Sequence, residues 1–281
     1  MNLSNLILFL LLVIFGLFFY NNFLKILNKY NPKLLIDAQF SKPQAFHEYP
    51  ISVAGGTGIF LLFLIVYFNF LFFKNIIFFE YLSICTFIFF LGFFDDVKIN
   101  IKPKYRLALM IIFLLALMKY NNFYLERTGI EILNYWLENS EIFSLIFICL
   151  CFLFVINGSN LIDGYNGLLC LHSLIIFTNL FLINYFNANN DLANLLFFMI
   201  IILIIFLSFN FPKAKVFLGD SGSYFLGAFI ALSTIQTSIA NPSISPFYFC
   251  ILLFYLFFEV FFSFFRKLVV KKVSPLHPDE K

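Results

Sequence analysis

The chain has 281 residues, of which 62% are hydrophobic, 22% aromatic and only 12% charged, with 46 Phe and a formal net charge of +3; its mean hydropathy is +0.95. Soluble domains carry an apolar share of roughly 45–50%, so an ordinary water-soluble globule is excluded. A net charge this small gives no ground for a nucleic-acid partner.

A membrane-spanning helix needs about 20 mostly apolar residues. Runs of this kind at 3–20, 53–73, 76–94, 106–118, 141–156, 167–186, 192–209, 222–240 and 246–265 predict nine transmembrane helices. The fold class is therefore an all-α, polytopic integral membrane helix bundle. The first run has no basic residue ahead of it and no small-residue cleavage site, so it reads as a retained span rather than a removable signal peptide. No internal repeat and no Pro/Gly-rich linker divides the sequence, which gives a single domain over 1–281. With the N-terminus outside, the inner segments are 21–50, 95–106, 157–166, 210–221 and 266–281. They hold every Lys and Arg except Lys74, Lys119 and Arg127. Because basic residues stay in the cytoplasm, the N-terminus is expected outside and the C-terminus cytoplasmic, with 119–140 as the sizeable outer loop. The five Cys (Cys85, Cys149, Cys151, Cys170 and Cys250) all fall in apolar runs, without a CxxC pair or a His cluster. They read as small membrane hydrophobes rather than disulfide or metal residues.

Against this background, polar stretches that abut apolar runs are costly and call for a reason. Asp95 and Asp96 end the third run and are followed by Lys98, Lys102, Lys104 and Arg106. Two adjacent acids can share a Mg²⁺, which takes oxygen ligands and bridges carboxylates to phosphates; they can also simply end a helix beside basic partners. Asn157, Asn160 and Asp163 recur at i, i+3 and i+6, which places them on roughly one face of a helix end. Amides with a carboxylate suit a nucleobase, sugar hydroxyls or an acetamido group, although the same residues also cap helices. Lys213 and Lys215 precede Gly219-Asp220-Ser221-Gly222 at the start of a span. There the small residues and the positive end of the helix favour a phosphate and a metal, and the lysines favour a diphosphate or an anionic headgroup. The plain alternative, a basic loop that sets topology, accounts for the lysines but not for Asp220. His47, beside Glu48 and ahead of Gly55-Gly56-Thr57-Gly58, is a further candidate that equally reads as a solvated loop residue. His172 and Glu259 lie within spans, the first as a helix-packing polar group and the second as an ionisable candidate. All four polar stretches, the basic tail after Arg266 included, are expected to open on the cytoplasmic side and to assemble one site.

Taken in order, Phe40 to His47, Gly55-Gly56, Gly92-Phe-Phe-Asp95-Asp96 with Pro103-Lys104-Tyr-Arg106, Asn157 to Leu168, Phe217 to Ser223 and Ser274-Pro275 to Asp279 resemble the polyprenyl-phosphate N-acetylhexosamine-1-phosphate transferase family. That family includes phospho-N-acetylmuramoyl-pentapeptide transferases and undecaprenyl-phosphate N-acetylglucosaminyl 1-phosphate transferases. The resemblance implies a bundle of ten or eleven helices that transfers a sugar-1-phosphate from a UDP-sugar to undecaprenyl phosphate, releasing UMP. Mg²⁺ is the implied cofactor, with Mn²⁺ as the alternative. It further implies a multi-pass protein of the bacterial inner membrane with a cytoplasmic site, for which a homodimer is one assembly. By this likeness Asp220 resembles the metal-binding acid, with Asp95 beside it, and Asp95 and Asp96 resemble the catalytic pair. Asn157, Asn160 and Asp163 resemble the nucleotide and sugar residues, while Lys104, Lys213 and Lys215 would meet phosphate or lipid headgroup. The wording around Asp163 to Leu168 and Ser41 to His47 resembles the surface-polysaccharide branch. The expected donor is therefore UDP-N-acetylglucosamine or a related N-acetylhexosamine, used to begin an O-antigen-like polymer, with the muramoyl-pentapeptide donor as the alternative. The family continues beyond Pro278-Asp279 into a His-x-His motif. The sequence is thus expected to lack the C-terminal end of the family domain, and a protein ending at Lys281 to be weakly active or inactive.

Two other classes remain at this stage. A transporter would place its ionisable groups near the midplane on broken helices, whereas these acids gather at one rim. A non-catalytic relative would keep the motifs but serve as a binder of lipid or of a partner enzyme.

Overall fold

The computed structural model describes residues 3–30, 35–37, 51–99, 101–121, 123–125, 127–270 and 272. It is a helix bundle built from α1 (Leu3–Tyr30), α2 (Gly55–Lys74), α3 (Phe79–Asp96), α4 (Pro103–Tyr120), α5 (Glu131–Asn139), α6 (Glu141–Ile162), α7 (Leu168–Phe186), α8 (Asn190–Asn210), α9 (Gly219–Ala240), α10 (Pro246–Leu252) and α11 (Phe254–Phe265), followed by a π-helical turn, Arg266–Val270. Among the described residues the strand content is one antiparallel pair, β1 (Ile36–Asp37) with β2 (Ile51–Ser52).

Among the described residues, six helices are long and apolar enough to cross a membrane, or seven if the bent pair α10–α11 counts as one span. This is an all-α polytopic membrane protein. The two other expected spans are also helices, but each carries three charges: Glu80, Asp95 and Asp96 on α3, and Lys104, Arg106 and Lys119 on α4. The expected continuous span 246–265 is broken. Its two helices meet at 62° around Leu253, although no Gly or Pro lies between 247 and 265. The cause is tertiary, because α11 packs against α6 at Gly158, where an added Cβ would sit 2.5 Å from the Leu256 carbonyl oxygen. The expected outer loop 119–140 contains α5, whose Ile132, Tyr135 and Trp136 are exposed.

Helix α9 is the axle of the bundle, buried along nearly its whole length from Ser221 to Ser238. It packs against α2, α3, α6, α7 and α10. Its sequence explains this. Ser221, Gly222, Ser223, Gly227, Ala228, Ala231 and Ser233 keep one helix slim enough for several neighbours to approach closely, as small residues do between membrane helices. Gly227 shows the limit, since a Cβ there would lie 2.7 Å from the α carbon of Ile156 on α6. At the end of α9 away from its N-terminus, the buried Asn184 of α7 donates to Thr237 Oγ1 at 2.8 Å. There the Arg127 guanidinium also donates to the carbonyl of Ile244 at 2.8 Å. These bonds give buried polar groups the partners that a low-dielectric interior demands.

Candidate active site

The N-termini of α2, α4 and α9 and the C-termini of α3 and α6 converge at one end of the bundle. The chain between α8 and α9 is drawn in by backbone hydrogen bonds: Phe217 N–H to Ser52 O at 2.7 Å, Gly55 N–H to Phe217 O at 2.9 Å and Gly56 N–H to Leu218 O at 2.7 Å. The buried Asn210 adds a bond from Nδ2 to Val216 O at 2.8 Å. The glycine-rich start of α2 is therefore a seat for the start of α9, since a Cβ on Gly56 would lie 2.3 Å from the Gly222 nitrogen.

Asp220 occupies the first turn of α9. Its Oδ1 accepts from Asn160 Nδ2 at 3.0 Å, and the same amide lies 3.0 Å from Ser223 Oγ. Asp96, nearly buried at the end of α3, accepts from the backbone N–H of Asp220 at 2.8 Å through Oδ1 and from that of Ser221 at 3.0 Å through Oδ2. Asp163 caps the end of α6, beyond its last helical residue. Burial, then the negative charges of Asp220 and Asp96, hold its carboxyl well above the ordinary carboxylate range. Asp95 points elsewhere, into an ion pair with Arg106 of α4, whose guanidinium also lies 5.3 Å from the Tyr224 ring centre on α9.

The structure thus brings Asp96, Asn160, Asp163 and Asp220 together and sets Asp95 at their edge. Asn157 is on the same helix end, but its Nδ2 is engaged by the carbonyl of Leu153 at 2.7 Å. Lys104, Lys213 and Lys215 are exposed around the rim. His47 lies outside the described residues, as do the tail positions Ser274 to Asp279.

Sequence reasoning missed Arg106 as a site residue, together with Ser223 and Gly92. A signal for Arg106 was present: a cation in the first turn opposes the helix dipole, so it needs an acid partner close by. Gly92 had no such signal. Its role is spatial, because a Cβ there would lie 2.4 Å from the Asp220 carbonyl oxygen.

The donor chemistry can be tested against Mg²⁺. The described residues hold no cluster of three His, Cys, Asp or Glu side chains able to bind a metal by themselves. Both oxygens of Asp96 are taken by backbone N–H groups, and one oxygen of Asp95 is taken by Arg106. Asp220 Oδ2, the second oxygen of Asp95 and the Asp163 carboxyl remain as oxygen donors. This fits Mg²⁺, which is commonly held by one or two carboxylates and completed by water and substrate phosphates.

Comparison with known proteins agrees with the geometry. Residues 78–238, which include α3, α6 and nearly all of α9, match the model of glycosyl transferase family 4. A phospho-N-acetylmuramoyl-pentapeptide-transferase of Dictyoglomus turgidum is 34% identical over 246 residues, covering 83% of this chain and 75% of that protein. An undecaprenyl-phosphate alpha-N-acetylglucosaminyl 1-phosphate transferase of Thermotoga maritima is 33% identical over 194 residues, or 69% of this chain and 56% of that protein. A match over more than half of the sequence and a one-third identity across most of its length place this chain, as a membrane-embedded enzyme, in glycosyl transferase family 4.

Proposed function

We propose that this enzyme transfers N-acetylhexosamine-1-phosphate from a UDP-sugar to undecaprenyl or another polyprenyl phosphate, releasing UMP. The observation that carries the reading is the Asn160–Asp220–Asp96 junction. It fixes one carboxylate, with an oxygen unpaired among the described residues, at the rim of an apolar bundle, where a lipid phosphate and a water-soluble nucleotide can meet.

An oxygen of the lipid phosphate attacks the sugar-bearing phosphorus, the bond from that phosphorus to the bridging oxygen breaks, and UMP leaves. No protein nucleophile is required. Catalysis of this kind is mostly positioning and charge neutralisation. Asp220, with a neighbouring carboxylate, would hold Mg²⁺, which supplies charge neutralisation for the diphosphate when bound. Asn160 aims Asp220, and Asn157 with Asp163 forms the sugar and nucleotide side. Arg106 holds Asp95 at the edge nearest the lipid, where Asp95 is suited to take a proton from the acceptor phosphate. Lys104, Lys213 and Lys215 form an exposed basic rim that attracts anionic substrates and headgroups. The distribution of basic residues favours a cytoplasmic site in a bacterial inner membrane.

The preferred donor is UDP-N-acetylglucosamine or a related N-acetylhexosamine, for the first step of an O-antigen-like polymer. The muramoyl-pentapeptide donor is the second reading, and the name of the Dictyoglomus turgidum relative favours it. Label in the β-phosphate of the UDP-sugar decides the reaction type. The proposal expects that label in the lipid extract, whereas label left on a released nucleotide would mean transfer of the sugar alone.

A further inference from the structure

The two adjacent acids at the end of α3 occupy different environments. Asp96 gives one carboxylate oxygen to each of two successive backbone N–H groups, those of Asp220 and Ser221. Helix α9 begins at Gly219, with Leu218 as its N-cap, so these are the second and third residues of the helix. Their N–H groups are the ones a helix's own N-cap side chain ordinarily satisfies. Leu218 has no such side chain and makes no cap bond. The cap of α9 is therefore supplied by another helix.

The surroundings leave little room for any other arrangement. Gly219 has φ +78, and a Cβ on it would lie 2.7 Å from the Val53 carbonyl oxygen and within 2.9 Å of both Asp96 oxygens. One turn before Asp96, Gly92 lets α3 touch the Asp220 carbonyl. The main chain of Asp220 is thus gripped by α3 on both sides, its N–H by Asp96 and its C=O against Gly92. Its side chain is left to turn toward Asn160.

We infer that Asp96 is a positioning residue, which acts by holding the backbone of Asp220 and Ser221. Each oxygen of Asp96 accepts one main-chain N–H, and these two bonds are what fixes the start of α9. The inference rests on the reading of Asp220 as the working carboxylate, but the hydrogen bonds themselves can be read without any substrate.

The test is residue-resolved amide hydrogen exchange of the full chain in detergent, without substrate or metal. First-turn N–H groups usually exchange freely because they lack intrahelical partners. Here the amides of Asp220 and Ser221 should be protected in the wild type. Asp96→Asn keeps the shape but turns an NH₂ group toward one N–H. It should speed exchange at these two amides by about tenfold, the size of one lost hydrogen bond to a charged group, and leave the middle of α9 unchanged. In the transferase assay the same variant should lose kcat with little change in KM for either substrate. Wild-type amides at Asp220 and Ser221 that exchange as freely as an open turn would overturn the inference, and that result needs no variant to fold. Unchanged exchange in Asp96→Asn together with abolished turnover would also overturn it, by giving Asp96 a direct chemical part. A chain without transferase activity can still pass or fail the exchange test, so the two readings fail separately.

Discussion

Asn160 Nδ2 stands 3.0 Å from Asp220 Oδ1, a bond that joins the last turn of α6 to the first turn of α9. Asn160→Ala removes the only hydrogen-bond donor that Asp220's carboxylate has among the described residues. Hydrogen bonds to charged groups contribute about 1.5–3 kcal/mol, so kcat/KM should fall by roughly 10- to 100-fold. Asn160→Asp should be worse than Ala, because it adds a carboxylate beside Asp220. Steady-state UMP release checks the order, and an Asp variant more active than the Ala variant would contradict it.

Arg106 and Asp95 form an ion pair that is mostly shielded, with side-chain exposures of 23% and 16%. Removing one partner of such a pair strands the other charge. Arg106→Gln should therefore destabilise the protein by about 1–3 kcal/mol, in line with a charged group left unpaired. Adding Asp95→Asn should restore part of that loss. Thermal unfolding in detergent of the two single variants and the double variant measures the coupling. Simple additivity would mean that the pair contributes nothing to stability.

Glycines at two close contacts predict unequal sensitivities. On Gly92 an added methyl meets the backbone of Asp220 at 2.4 Å, whereas on Gly16 it meets the γ2 methyl of the Ile205 side chain at 2.9 Å. A side chain can turn aside and a helix backbone cannot. Gly92→Ala should cost about 1–3 kcal/mol, the usual range for overpacking, and should lower turnover by shifting Asp220. Gly16→Ala should cost less, because its contact is half an ångström longer and does not involve the main chain of the site. Equal effects of the two would contradict the packing described around α9.

Asp163 gives a pH prediction whose sign follows from linkage. Burial, then the charges of Asp220 and Asp96, raise its carboxyl well above 3.8. Above that pH the unfolded chain has released this proton while the folded protein still holds it. The unfolded state then binds fewer protons, and stability falls as pH rises. Without metal, the melting temperature should decline as pH increases from about 4 toward neutrality. Asp163→Asn should flatten the decline. A melting temperature that rises over this range, or a slope unchanged in Asp163→Asn, would show that the carboxyl is not held in its neutral form.

The sequence placed most of the helices and gathered the acids at one rim, because hydropathy and charge are local properties. The break at Leu253 escaped it, since nothing in 247–265 signals a bend and the cause is the contact between Gly158 and Leu256 on helices remote in sequence. Neighbouring Asp95 and Asp96 look interchangeable in a sequence. They part only when folding sets α4 beside one and the start of α9 beside the other. Helix α5 was hidden inside an outer loop because its nine residues are too few and too polar to register as a span. The likeness of Asn160 and Asp220 to a substrate site was legible in the motifs, but their mutual hydrogen bond was not.

The most direct measurement is UMP release by the purified chain in detergent, with undecaprenyl phosphate, Mg²⁺ and a panel of UDP-N-acetylhexosamines that includes the muramoyl-pentapeptide donor. Wild-type protein should release UMP only when lipid, donor and metal are all present, and both EDTA and Asp220→Asn should abolish the release. UMP formation that persists in folded Asp220→Asn, or without lipid phosphate, would contradict an active site built around Asp220 for transfer to a lipid.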